Sequence, residues 1–405
     1  MAELFESSEE ENNDEFVGFT MEEIPERPDF ESDPEASGES DISLGYESSE
    51  NGIENSDSEE EEVEEESIWT RDLDEIDIAS FEENVGPTEI LPEGANCLDF
   101  LLILFPKELV NLIVVETNRN AEQKQAAANK VDKDWQPVNN NDIRSYLGIR
   151  LLQGIKVLPS ERDFWSTNSF LGVKQVQDIM SRTRYLKINQ YLHFNDSSKA
   201  KPRGHAEHDK LFHIRPLIKK LTDTFAAAYA PNRENAIDEG LIKFKGRLAF
   251  KQYMPLKPAK RGIKVWLRAD STTHYVSAFE VYTGRPNEGE PELGLRARVV
   301  TDLSRDLVDC NYHLFFDNFF SSFALMKKLK QDGIYATATT RKNRKEFPNE
   351  VKNAKLQNRG DSFSMQRDGI TACAWKDKKI VYFLTSGCQP SGDDMVQRRK
   401  KNGTL

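Results

Sequence analysis

Ala236-Ile237-Asp238-Glu239-Gly240-Leu241-Ile242-Lys243-Phe244-Lys245-Gly246-Arg247 is the stretch on which the reading of the whole chain turns. Ile237, Leu241 and Phe244 supply apolar bulk, Ile242 is β-branched and Gly246 closes the run, so the pattern predicts a short buried strand and a turn. Asp238 and Glu239 stand near its start, and Lys243, Lys245 and Arg247 alternate along its later part. A carboxylate on an apolar strand is costly to bury unless a cation or a metal pairs with it. An exposed acid at a strand end would account for Asp238 equally well. The second strand of this kind is Asn311-Tyr312-His313-Leu314-Phe315-Phe316-Asp317-Asn318-Phe319-Phe320, an aromatic run with one acid, Asp317, in its middle.

Outward from these two strands, the charge is divided unevenly along the 405 residues. The first 90 hold 34 acidic and 2 basic residues, whereas the remaining 315 hold 35 acidic and 52 basic ones. The chain is therefore a basic body with an acidic tail, and a basic body points to a polyanionic partner, because Lys and Arg that neutralise phosphates release counterions. Residues 1–90 carry too little apolar surface to offset the entropy of ordering, which predicts a disordered tail. Within it, Ser56 and Ser58 precede acids and resemble substrates of acid-directed kinases. The four cysteines form no C-x-x-C pair and no Cys/His cluster, so neither a structural zinc nor a disulfide framework is expected. The N-terminus is acidic where a signal peptide would be basic and then apolar, and the expectation is a soluble intracellular protein.

Between 91 and 231 the spacing is helical. Leu98 to Phe105 leads into Pro106, which suits a helix start. A second helix is expected from about Asn141, and Ser160 with Asp163 has the form of a capping box. Further helical patterns cover about 173–194 and 211–229. After Pro231 the pattern changes to strands at 236–245, 263–269, 275–283 and 311–317, followed by a helix capped by Ser321 or Ser322 and a strand from Ile334 to Thr340. Three antiparallel-type strands, a crossover and a strand–helix–strand unit form the order of a ribonuclease-H-like sheet. In such a sheet the first and fourth strands are neighbours, so Asp238 and Asp317 converge. Two carboxylates holding a pair of divalent cations can activate a water or a 3′-hydroxyl and stabilise the leaving oxygen of a phosphodiester. Mg²⁺ (or Mn²⁺) suits oxygen ligands. Lys243, Lys245 and Arg247 would neutralise phosphates, or else are outward charges on a half-exposed strand.

At these residues the chain resembles the piggyBac family of cut-and-paste DNA transposases and their domesticated derivatives. The resemblance runs in order through Glu116-Thr117-Asn118, Phe164-Trp165-Ser166, Tyr191-Leu192-His193-Phe194, Ile237-Asp238-Glu239, Phe244-Lys245-Gly246-Arg247, Lys251-Gln252-Tyr253 and Gly262-Ile263-Lys264. It continues through Phe316-Asp317-Asn318-Phe319-Phe320-Ser321-Ser322, Arg341-Lys342-Asn343-Arg344 and Trp375-Lys376-Asp377-Lys378-Lys379, covering roughly 97–405. It implies an α/β ribonuclease-H-like catalytic core over 232–405 with a β-rich insertion at about 342–395, where residues 362–387 read as a β-hairpin. Before the core it implies an all-α dimerisation and DNA-binding domain over 91–231. It further implies metal-dependent cleavage and transfer of double-stranded DNA at transposon ends and TTAA targets, a homodimer, and action in the nucleus, for which the basic run Val396 to Lys401 is a candidate import signal.

By residue match Asp238 and Asp317 are the first two of the family's three acidic metal ligands. Lys243, Lys245, Arg247, Lys251, Lys257, Lys260, Arg261, Arg341, Lys342, Arg344 and Lys345 are candidate DNA contacts. The third family aspartate lies in a Gly-Gly-Val-Asp type segment that this sequence lacks, which predicts a C-terminally truncated core with incomplete chemistry. A non-catalytic DNA- or chromatin-binding protein, or the remnant of a decayed element, are the other readings.

Overall fold

Side chains that close their own helix ends lay out the first half of the molecule. The computed structural model describes residues 68–255, 257, 260–284 and 294–389. A short strand β1 (Gly86–Pro87) precedes α1 (Cys97–Leu104), α2 (Lys107–Ala128) and α3 (Asn140–Ile155). These are followed by α4 (Lys174–Ile179), α5 (Arg182–Tyr191) and α6 (Arg215–Ala228), and by β2 (Tyr229–Ala230), which pairs with β1. Asn96 with Asp99, Asn139 with Asp142 and Ser160 with Asp163 each form a capping box, satisfying backbone N–H groups that a helix start leaves free. The single helix expected over 173–194 is two: Met180 is extended, and Ser181 accepts from the Arg184 N–H to start α5. Ile113, Ile143, Tyr146, Ile149, Tyr185 and Ile188 form the buried centre of this layer.

The second half is a sheet. Its strands are β3 (Glu234–Lys243), β4 (Gln252–Tyr253), β5 (Arg261–Asp270), β6 (Val276–Val281), β7 (His313–Phe316), β8 (Tyr335–Thr340), β9 (Ser362–Arg367), β10 (Ile370–Lys376) and β11 (Ile380–Thr385). β6, β5 and β3 are antiparallel in succession, and β3, β7 and β8 are mutually parallel, so this part of the mixed sheet has the order predicted from the element pattern. The helices α7 (Gly294–Leu303) and α8 (Phe323–Gln331), with the short α9 (Asn349–Lys352), contribute Val299, Val300, Leu303, Leu325, Met326, Leu329 and Val351 to one core. Ile237, Leu314, Phe316, Ala336 and Leu384 meet them from the sheet.

Two further expectations change. The hairpin expected at 362–387 is three strands, and β11 pairs antiparallel with β8 over Tyr382↔Thr340 to Thr385↔Thr337. The β-rich insertion therefore prolongs the main sheet. Residues 68–90, assigned to a disordered tail, lie ordered against the core. Thr70 exchanges two 2.9 Å backbone hydrogen bonds with Gln366 on the edge strand β9. The Gln366 side chain accepts from Asp74 N and donates to Asp74 O, and Gln389 does the same for Ile76. Trp69 packs edge-on against Phe323, and Phe81 against Tyr312. Side-chain amides replace a neighbouring strand here, which is why an acidic, aperiodic segment is held. Residues 1–67, with Ser56 and Ser58, and the basic run Val396 to Lys401 lie outside the described residues. No described helix is long and apolar enough to cross a membrane.

Candidate active site

In the parallel register of β3 and β7, Ile237 lies opposite Phe316. The next residue on each strand is an aspartate, so Asp238 and Asp317 stand side by side at the carboxyl ends of the two strands. Side chains alternate across a sheet. Ile237 and Phe316 accordingly enter the core, while both acids line a cavity of about 520 Å³ with Ala236, Phe315, Thr337, Thr339 and Phe383, to whose lining Ile237, Phe316 and Ala338 also contribute. The Asp317 carboxylate accepts from Phe319 N at 2.8 Å, which fixes the turn that follows β7. Both residues are therefore brought together as expected. Two carboxylates are the oxygen chemistry a hard divalent cation prefers; among the described residues no group of three His, Cys, Asp or Glu comes together as a metal site.

The basic side chains singled out in sequence fall into three kinds of setting. Lys243, Lys245, Arg247, Lys260, Lys342 and Lys345 are exposed. At about 3.3 Å per residue, Lys243 lies roughly 17 Å along β3 from Asp238. Lys251 is engaged with its own turn, donating to Gly246 O at 2.9 Å, and Arg261 lies over the Tyr253 ring. Lys257, Arg341 and Arg344 reach the site itself. Lys257 pairs with Glu239 at 3.2 Å. Arg341 donates to Asn318 Oδ1 at 2.8 Å, and Arg344 donates to the carbonyls of Asn318 and Phe319 at 2.5 and 2.9 Å. Arg344 is thus a clamp on the turn after Asp317, and its half-buried guanidinium is held there against its own burial and the nearby charges of Arg296 and Arg341.

Glu239, Lys264 and Arg296 were not assigned to the site from sequence, although each belongs to this neighbourhood. Burial, and then the charge of Asp238, push the Glu239 carboxyl above its usual range; Lys257 opposes this. The same pairing raises Lys257 above the ordinary lysine value. The two partners shift in the same direction because Glu239 is a buried acid beside a second acid before it is an ion-pair partner, and the burial dominates. The adjacency Asp238-Glu239 was the available signal. Which way Glu239 faces depends on its pairing with Trp266 across β5, which local sequence does not reveal.

A parallel pair of acids at strand ends, over an open cavity, is the architecture of a nucleotidyl-transfer core, and comparison with known proteins places the chain. The family model for transposase IS4 matches residues 98–404, so the chain belongs to that transposase family, of the DDE type. Within it the chain is of the piggyBac kind. It is 29% identical over 309 residues to human PiggyBac transposable element-derived protein 3, covering 74% of this chain and 48% of the relative. It is also 29% identical over 344 residues to human PiggyBac transposable element-derived protein 2, covering 80% and 54%. A piggyBac transposase solved in a synaptic complex with hairpin DNA superposes with a TM-score of 0.65 at 25% identity, over 80% of this chain and 66% of that one. The chain spans about half the length of these two human relatives.

Proposed function

We propose that this chain acts on double-stranded DNA as a piggyBac-type transposase core, its chemistry being metal-dependent strand cleavage and transfer at transposon ends and TTAA targets. The observation that carries the reading is the side-by-side placement of Asp238 and Asp317 on adjacent parallel strands, facing one open cavity. Asp238 and Asp317 would hold the divalent metal, Mg²⁺ or Mn²⁺, which when bound supplies Lewis-acid stabilisation at a phosphodiester. Arg341 and Arg344 keep the Asp317 turn in place, and the exposed Lys243, Lys245, Arg247, Lys260, Lys342 and Lys345 would meet phosphates. Residues 91–231 would form the dimerisation and DNA-binding unit of a nuclear homodimer, beside a ribonuclease-H-like core. A relative of this chain was solved on DNA, which supports the choice of partner.

A second reading, a DNA- or chromatin-binding protein without catalysis, is favoured by the absence of a three-residue metal cluster among the described residues. One experiment separates the two. Purified chain is incubated with a TTAA-containing duplex and Mn²⁺, alongside Asp238→Asn and Asp317→Asn. Nicking or joining that needs metal and disappears in both variants supports the transposase reading. Binding without nicking at any metal concentration supports the second.

A further inference from the structure

The strand β5 carries a lysine where the row of side chains otherwise turns inward. Arg268, Trp266 and Lys264 share one face of β5, paired across to Ile237, Glu239 and Leu241. Arg268 is fully buried and bonded to Leu303 O and Asp306, and Trp266 is fully buried in the core. Lys264, the third of the row, is half-buried at the rim. Its Nζ sits 3.7 Å from the centre of the Trp266 ring, 5.1 Å from that of Phe319 and 5.9 Å from that of Tyr282. Trp266 and Phe319 are themselves stacked at 5.4 Å, and Tyr282 stands edge-on to Trp266. The ammonium is therefore held in place by the electron-rich faces of aromatic rings.

Those faces hold the charge but accept no hydrogen bond. Among the described residues no oxygen lies within bonding distance of Lys264 Nζ, and the half-buried Glu239 is taken by Lys257. An ammonium has three donors. Among the described residues Lys264 Nζ is not one of the buried polar atoms left without a partner, so solvent reaches its donors and an incoming oxygen can replace water as the acceptor. Burial works against the charge of Lys264, and Glu239, Asp238 and Asp317 work for it, so the acids of the site reach this ammonium electrostatically. Phe319, one wall of the cage, sits two residues beyond Asp317 in the turn fastened by the Asp317 carboxylate and by Arg344. The row of Lys264 lies on the face of the sheet opposite Asp238, and the caged ammonium meets the candidate metal site past the strand ends, at the turn that carries both Asp317 and Phe319.

We propose that Lys264 is a phosphate-contact residue: its cage-held ammonium donates to a phosphate oxygen of the DNA strand lying along Asp238 and Asp317. The inference rests on the DNA reading of the preceding section and adds a residue to it. The aromatic cage fixes the ammonium before DNA arrives, so little side-chain freedom is lost on contact.

The test measures binding of the full 405-residue chain to a fluorescent random-sequence duplex over a NaCl series, for wild type, Lys264→Met and Lys264→Arg. Lys264→Met should weaken binding several-fold, and the slope of log affinity against log salt should fall by about 1. Lys264→Arg should keep the wild-type slope. A wild type that binds with strong salt dependence, while Lys264→Met matches it in affinity and slope, overturns the inference alone. A wild type that does not bind duplex DNA overturns the proposed function and the inference together. Should Lys264→Met not fold, amine acetylation of the wild type read by mass spectrometry decides: DNA that shields Lys264 supports the contact, and unchanged labelling of Lys264 overturns it.

Discussion

The two faces of β3, β7 and β8 are one residue apart in sequence and behave as different materials. On one face Ile237, Leu314, Phe316, Ala336 and Ala338 are all buried under α7 and α8. On the other, Ala236, Asp238, Phe315, Asp317, Thr337 and Thr339 line an open cavity, which Ile237, Phe316 and Ala338 also border although their side chains are buried. Ile237 and Asp238, like Phe316 and Asp317, are consecutive residues assigned opposite tasks by the pleat. The covered face fixes where the strand ends point, and the open face uses those ends for chemistry. Substitutions on the first should therefore be read by unfolding, and on the second by ligands.

The largest expected effect is on the covered face. Leu314 is fully buried at the centre of the sheet, against helix residues that cannot close over a gap without moving. Leu314→Ala should cost about 3–5 kcal/mol in urea unfolding, the transfer of the side chain plus the cavity left behind. A loss under about 1 kcal/mol would show that α7 and α8 are not packed on this face as described, and the contrast between faces would break.

The next effect comes from the end of the open face away from the acids. His313 is 6% exposed, its Nε2 lies 2.8 Å from Thr337 Oγ1, and its ring stacks on Phe315. Burial, with a smaller push from Arg233, brings its pKa down to about 4. The folded value lies below the unfolded one, so the stabilising contribution is complete above about pH 6.5. It is lost as pH falls from there through about 4, because the unfolded chain takes up the proton first. Allowing for partial solvent access, the loss should be roughly 2 kcal/mol. His313→Gln should flatten the pH dependence over that window. An unchanged pH dependence in the variant would assign the acid sensitivity to other groups.

How much of this was legible follows from what each element depends on. Asp238 and Asp317 could be found because apolar strands with single acids stand out locally, and strand order then makes the two neighbours. The Ser160–Asp163 capping box could be found because its partners are three residues apart. Arg268 could not: a charged residue on a strand reads as solvent-facing, yet here Asp306 and the Leu303 carbonyl, 35 or more positions away, make burial tolerable. Arg344 reads as a phosphate contact by charge alone, and two carbonyls of the Asp317 turn engage it instead. The segment 68–90 was misread because Trp69, Ile76 and Phe81 are too sparse among acids to set a period. Its order depends on Gln366 and Gln389, some 290 or more positions downstream. The union of β11 with β8 is likewise a choice of partner that no single strand encodes.

The smallest expected effect is also the one that separates the faces most sharply, because its sign is reversed. Glu239 is pushed up by burial and by the charge of Asp238, so its ionisation opposes folding. Its folded value lies above the unfolded one. The stabilising contribution of its protonated form is therefore complete below the unfolded value of about 4.3 and disappears as pH rises through the higher folded value. Asp238→Asn removes one source of that penalty. In metal-free buffer at pH 7 the variant should thus be slightly more stable than wild type, by less than about 1 kcal/mol because Asp238 is exposed and water screens it. The advantage should vanish below about pH 4, where Glu239 is protonated in both states. Millimolar Mn²⁺ should then reverse the order, raising the unfolding temperature of wild type and leaving Asp238→Asn and Asp317→Asn unmoved, since a cation that binds only the folded state stabilises it by mass action. Thermal unfolding of the three chains with and without Mn²⁺ measures all of this. If Asp238→Asn instead unfolds several degrees earlier at pH 7 without metal, Asp238 supports the fold as Leu314 does, and the division between the two faces does not run between residues 237 and 238.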